Sequence, residues 1–199
     1  MAADGYIFID IETSGLAHAS EHILEVGLAL YSLDLQPVER WCTLIVHDQT
    51  PTILKEIDTS SEYDFIRNMH TGNGLLADLS DAVAAGNLPT GLDGYDTTAA
   101  DIARRWGADK TEPLCGSSLR LDRNFIDLHL PVLADCFSHR SIDVSSDWQL
   151  KLKRDPEFVA AAAAKAEPFK VGNHRPLGDI HDSVNMLRVL DGMEPLPYE

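Results

Sequence analysis

Asp10-Ile11-Glu12 places two carboxylates two residues apart at the end of an apolar run, GYIFID, and directly before the turn Thr13-Ser14-Gly15-Leu16. Side chains alternate along a strand, so both acids leave the same face, and an exposed turn at a strand end is a place where a site can be built. Paired carboxylates bind hard cations or move protons. The spacing alone says little: 21 Asp and 11 Glu among 199 residues give about one Asp-x-Glu by chance, and Asp155-Pro156-Glu157 reads as such an accident. Asp122, in CGSSLRLD, follows a short strand into a helix, where capping and compensation of the helix dipole are the ordinary roles. In His174-Arg175-Pro176-Leu177-Gly178-Asp179, Pro176 suits the first turn of a helix and keeps Arg175 out of helical geometry. His174 then belongs to a loop and Asp179 to the helix. An imidazole there could move protons near neutral pH, although an exposed loop His and a dipole-favoured Asp account for the two residues taken singly.

The elements that must position these side chains follow from periodicity. Gly5–Asp10, His22–Tyr31 and Arg40–His47 read as strands, the first two joined by SGLAHASEH and the last two by the turn Asp34–Pro37, so the chain opens as a three-strand meander. Helical spacing begins at Gly74 in GLLADLSDAVAA and resumes, after the Gly- and Pro-punctuated loop Gly86–Gly94, in TTAADIARRW. Pro113–Ser117 reads as a short buried strand, 119–137 as helical, and Ser141–Val144 as a brief strand. Further helix is expected from Asp147 through the alanine run Ala160–Ala164, and again over Pro176–Leu190, where Leu177, Ile180, Val184 and Leu187 share a stripe. No internal repeat or linker divides the chain, so one α/β domain is expected, with a core over about 6–190 and a short tail, 191–199.

Composition narrows the function. With 16 basic and 32 acidic residues the net charge is -16, which disfavours a nonspecific binder of long DNA or RNA, because such binding rests on Lys and Arg neutralising phosphates. Residues 1–101 hold 3 Lys/Arg against 17 Asp/Glu, and the remainder 13 against 15. An anionic ligand should therefore find its basic contacts in the second half, or metal ions held by the first. No run approaches the roughly 18 apolar residues of a membrane span, and MAADGYIFID has no basic region ahead of an apolar one, so a cytoplasmic protein is expected. Cys42, Cys115 and Cys136 are odd in number and widely spaced, and read as reduced core residues.

Together, Asp10 and Glu12 in IDIETSGL, Asp122 in CGSSLRLD, and His174 with Asp179 resemble the DEDDh exonucleases, in which four acids and a histidine occur in this order. More narrowly, the chain resembles the oligoribonuclease family through NMHTGNGLL (68–76), CGSSLRLDRNFI (115–126), HRSIDVSS (139–146) and HRPLGDIHDSV (174–184), a likeness covering about residues 6–190. The resemblance implies a ribonuclease H-like exonuclease fold: an α/β domain with a mixed sheet of about five strands flanked by helices. It implies 3′-to-5′ hydrolysis of short oligoribonucleotides or dinucleotides to 5′-mononucleotides by a homodimer.

By the same resemblance, Asp10, Glu12, Asp122 and Asp179 hold two metal ions. Hard oxygen ligands suit Mg²⁺ or Mn²⁺ rather than zinc, and His174 takes the proton from the attacking water. Leu16 looks like a wedge between two bases, Phe65 like the aromatic on which a terminal base stacks, and His70 like a residue lining the ribose. Ser118, Arg140 and Ser145 match positions that close around the 5′ phosphate of a very short substrate, whose single cluster of donors needs no long basic track. Core packing for Leu16 and Phe65, capping for the serines and a solvated cation for Arg140 are the ordinary alternatives. Two residues depart from the family pattern: His139 stands where a Tyr usually reaches across a dimer interface, and Gly178 where an Asp commonly precedes the metal-binding Asp179. A single-stranded DNA exonuclease and a noncatalytic nucleotide-binding scaffold are the alternative functions.

Overall fold

The computed structural model describes residues 5–198. Its five-stranded sheet has the order β3-β2-β1-β4-β5. β1 (Gly5–Thr13), β2 (Ile23–Ser32) and β3 (Pro37–Leu44) form the antiparallel meander, and β4 (Leu114–Gly116) and β5 (Ser141–Asp143) extend the sheet in parallel beyond β1.

β1 is covered on both faces, which is why its sequence is apolar almost without interruption. Ile7, Ile9 and Ile11 enter one core with α4 (Asp93–Arg105), α5 (Arg120–His129) and α6 (Pro131–Ala134). Phe8 points the other way, to Tyr31 and to Ile180 and Val184 of α9 (Pro176–Leu190). Each such buried side chain stabilises the fold by about 1.5–3 kcal/mol, and Phe8→Ala would cost about 3–5 kcal/mol. The alternation that sends Phe8 to α9 sends Asp10 and Glu12 to the same face.

α9 reaches the sheet at a glycine. A Cβ on Gly27 of β2 would lie 2.5 Å from the Cβ of Pro176, the first residue of the helix. Only glycine lets the helix start touch the strand there, and this contact sets Asp179, one turn further along, beside the end of β1. α7 (Val144–Arg154) and α8 (Pro156–Ala166) stack on the outer side of α9. A third cluster, Leu24, Val46, Ile53, Ile57, Leu75 and Leu79, packs α1 (Thr50–Thr59) and α3 (Leu75–Ala84) against the end of β2, with α2 (Asp64–Gly72) alongside both.

Several boundaries differ from the sequence pattern. α1 and α2 occupy a stretch in which helical spacing was not expected before Gly74; both are short, of ten and nine residues, and α2 fully buries only His70. β3 lies at 37–44 rather than 40–47: it is an edge strand whose first residues are exposed, and its register is set by the turn, where Leu35 takes a φ of 55°. α4 begins at Asp93, inside the expected loop. The helical stretch 119–137 breaks at Pro131. α7 starts at Val144, where Asp143 accepts the N–H groups of Ser145 and Ser146, and Asp155 caps α8 by accepting the Phe158 N–H at 2.9 Å. The chance pair Asp155 and Glu157 thus starts a helix. All three cysteines are free, and among the described residues no helix is long and apolar enough to cross a membrane.

Candidate active site

Asp10 and Glu12 from β1 and Asp179 from α9 each offer a carboxylate oxygen, and the three oxygens lie within 4.8 Å of one another. Asp122 comes from the opposite side of the sheet. It sits in the first turn of α5, buried, and its Oδ1 accepts the backbone N–H of Ile11 at 3.2 Å. Turned to the backbone between Asp10 and Glu12, Asp122 adjoins the close trio without belonging to it.

Crowding and burial resist ionisation of all four acids. Burial, then the charges of Asp122, Asp179 and Glu12, raises the Asp10 pKa well above its ordinary value. Glu12 is pushed up to about 8 by burial and by Asp179 and Glu25. Asp122 is raised to about 7 by burial, against the pull of its hydrogen bonds, and Asp179 is raised by burial, against the nearby His174. A site that penalises its own negative charge and presents only carboxylate oxygens fits a hard divalent cation, which would restore the ionised forms.

His174 stands on the loop before α9, its side chain 61% exposed and its Nδ1 3.9 Å from Asp179 Oδ2. Its backbone adopts a left-handed φ of 47°, and Asn73 Nδ2 donates to its carbonyl at 2.5 Å. Gly178 makes this turn possible: a Cβ there would lie 2.2 Å from Asn173 Oδ1, which accepts the Arg175 N–H at 3.2 Å. Glycine at position 178 therefore leaves room for Asn173.

The remaining expected residues divide. Leu16 and Phe65 are 76% and 75% exposed, so core packing does not account for either. His70 is fully buried; its Nε2 lies 3.2 Å from the Thr13 carbonyl, its Nδ1 3.4 Å from Asn73 Nδ2, and burial lowers its pKa. A neutral ring donating from Nε2 and accepting at Nδ1 satisfies both contacts. It braces the end of β1 and has no surface for a ribose in this conformation. Ser118 and Ser145 do meet, the Ser118 N–H donating to Ser145 Oγ at 3.2 Å. Both also bond to Asp143: the Ser118 N–H at 3.1 Å and Ser145 Oγ at 2.6 Å. His139 and Arg140 are exposed on the turn into β5.

Sequence reasoning missed Asp143 and also Glu25, Asp78 and the side-chain role of Arg175. The Arg175 guanidinium makes a two-pronged contact with Glu25, Nε to Oε2 at 2.6 Å and Nη2 to Oε1 at 2.8 Å, and its Nη1 donates to Asp78 Oδ2 at 2.8 Å. Glu25 is the only acid in the apolar strand ILEVGLALYS, a signal that was available.

The sheet and helices have the fold of the exonuclease I proteins. The chain superposes on E. coli exonuclease I bound to a 5cy-dA13 oligonucleotide with a TM-score of 0.55 at 12% identity, covering 96% of this chain and 41% of that one. Exonuclease I from Methylocaldum szegediense gives a TM-score of 0.57 at 13% identity, again covering 96% and 41%. The chain thus spans about two fifths of the length of these structural neighbours. No protein-family model matches the chain. Oligoribonuclease of Corynebacterium diphtheriae is 31% identical over 184 residues, covering 92% of this chain and 80% of the relative, and that of Photobacterium profundum is 29% identical over 182 residues, covering 92% and 91%. The chain belongs to the oligoribonuclease family.

Proposed function

We propose that the protein is a metal-dependent 3′-to-5′ exoribonuclease that degrades short oligoribonucleotides or dinucleotides to 5′-mononucleotides. The observation that carries this reading is the convergence of Asp10, Glu12 and Asp179 in a chain 31% identical to an oligoribonuclease. Asp10, Glu12, Asp179 and Asp122 are the residues to hold two Mg²⁺ or Mn²⁺ ions. When bound, such ions offset the acids' charge and stabilise the charge that develops on the attacking and leaving oxygens of a phosphodiester. His174 accepts the proton of the attacking water at the ring nitrogen turned away from Asp179. Leu16 and Phe65 give two exposed apolar surfaces against which bases can stack. Ser118, His139, Arg140 and Ser145 close around the far end of a short substrate, with the protein acting as a cytoplasmic homodimer. The net charge of -16 favours a substrate with few phosphates over a polymer.

The test is a series of 5′-labelled RNAs of two to about ten nucleotides, run beside a deoxydinucleotide and a DNA 20-mer, with Mg²⁺ or Mn²⁺. Fastest turnover of the shortest RNAs is expected. A strong preference for the DNA 20-mer would replace this reading with that of a DNA exonuclease.

A further inference from the structure

Arg175 joins three parts of the molecule around the histidine that precedes it. Its backbone carbonyl accepts the Asp179 N–H at 3.0 Å, so the residue is bonded to the turn of α9 that carries Asp179. Its side chain crosses to the sheet and grips Glu25, which stands opposite Glu12 in the β1–β2 register. The third prong reaches Asp78 on α3. A planar guanidinium bound by both of its edges fixes position and orientation together, which a lysine cannot do. On the other side, Asn73, between α2 and α3, holds the His174 carbonyl. Exposed and in a left-handed backbone conformation, His174 has little packing of its own to keep it facing Asp179.

From this geometry we infer that Glu25, Arg175 and Asp78 form a clamp that positions the His174 imidazole over the carboxylate group, each acting as a positioning residue for proton transfer. The inference rests on the reading of His174 as the base. It assigns a use to a buried acid, Glu25, whose charge is matched by its guanidinium partner beside the carboxylate trio.

Asp78 is the cleanest probe, because it is half exposed and its loss leaves the buried Glu25–Arg175 pair in place. Asp78→Ala and Arg175→Lys would be assayed on a diribonucleotide, alone and in the His174→Ala background, with melting curves as a folding control. Displacement of a reacting group by about 1 Å can cost up to about a hundredfold. Asp78→Ala, which removes the acceptor of the third prong, should therefore lower kcat about tenfold with KM changed less than about twofold, and this defect should vanish once His174 is absent. An unchanged kcat in Asp78→Ala, or the same fractional loss with and without His174, overturns the clamp while leaving the base assignment standing. Should His174→Ala itself turn over at the wild-type rate, the base assignment fails and the clamp with it. If Arg175→Lys does not fold, the Asp78→Ala pair still decides.

Discussion

Asp122 accepts the Ile11 backbone N–H at 3.2 Å, so α5 holds the strand end between its two acids, while Asp179 approaches them from α9. The bond gives Asp122 a structural duty separable from its charge. Asp122→Asn keeps an acceptor for Ile11 and should fold with unchanged or higher stability while losing at least about a hundredfold in turnover, ligand loss being more severe than loss of a ligand's supporting partner. Asp122→Ala leaves a buried N–H unpaired and should lose about 1–3 kcal/mol besides. Denaturant melts of the two variants compare them; equal stability would remove the structural duty.

Glu12 supplies a pH signature. Its folded-state pKa is raised from 4.5 to about 8, so without metal the native protein holds a proton there that the unfolded chain releases. The associated stabilisation is full below pH 4.5 and is lost as pH rises through 8. In chelator, Glu12→Gln should melt near the wild type at about pH 5 and at least about 3 °C above it at about pH 8.5. Adding Mg²⁺ or Mn²⁺ should close the gap from the wild-type side. A melting difference independent of pH would contradict the assignment.

Leu16 and Phe65 test whether exposure means contact with substrate. Leu16→Ala and Phe65→Ala should each change stability by less than about 0.5 kcal/mol, where a core position would lose about 2–5 kcal/mol. Each should weaken dinucleotide binding by about 1–3 kcal/mol, the worth of one stacked base. Unaltered KM values would return both residues to the status of ordinary surface.

Gly178 and Asn173 should be coupled. Gly178→Ala drives a Cβ into Asn173 Oδ1 and breaks its bond to the Arg175 N–H, at a cost of about 1 kcal/mol and with a fall in kcat. Asn173→Gly removes the same bond, so the double variant should be no worse than either single one. Additive losses would show that the crowding lies elsewhere.

The parts of the site that the sequence disclosed are those governed by local rules. Alternation along a buried strand put Asp10 and Glu12 on one face, and Pro176 marked the loop-to-helix step between His174 and Asp179. What it hid depends on tertiary neighbours. α2 fully buries only His70, and nothing local to that helix discloses the duty of its histidine at Thr13, 57 residues back along the chain. Asp143 resembles any helix cap until the β4–α5 turn is seen to donate the Ser118 and Leu119 N–H groups to it. Glu25 and Asp78 lie far along the chain from Arg175, and no spacing rule connects them.

The division of the trio between β1 and α9 also bears on biosynthesis. β1 is the first described element to leave the ribosome, while Asp179 arrives with α9, the last. A nascent chain has the first pair of acids long before it has the helix that completes the trio. A copy that stops short of α9 holds only the Asp10 and Glu12 pair and lacks the third carboxylate of the trio.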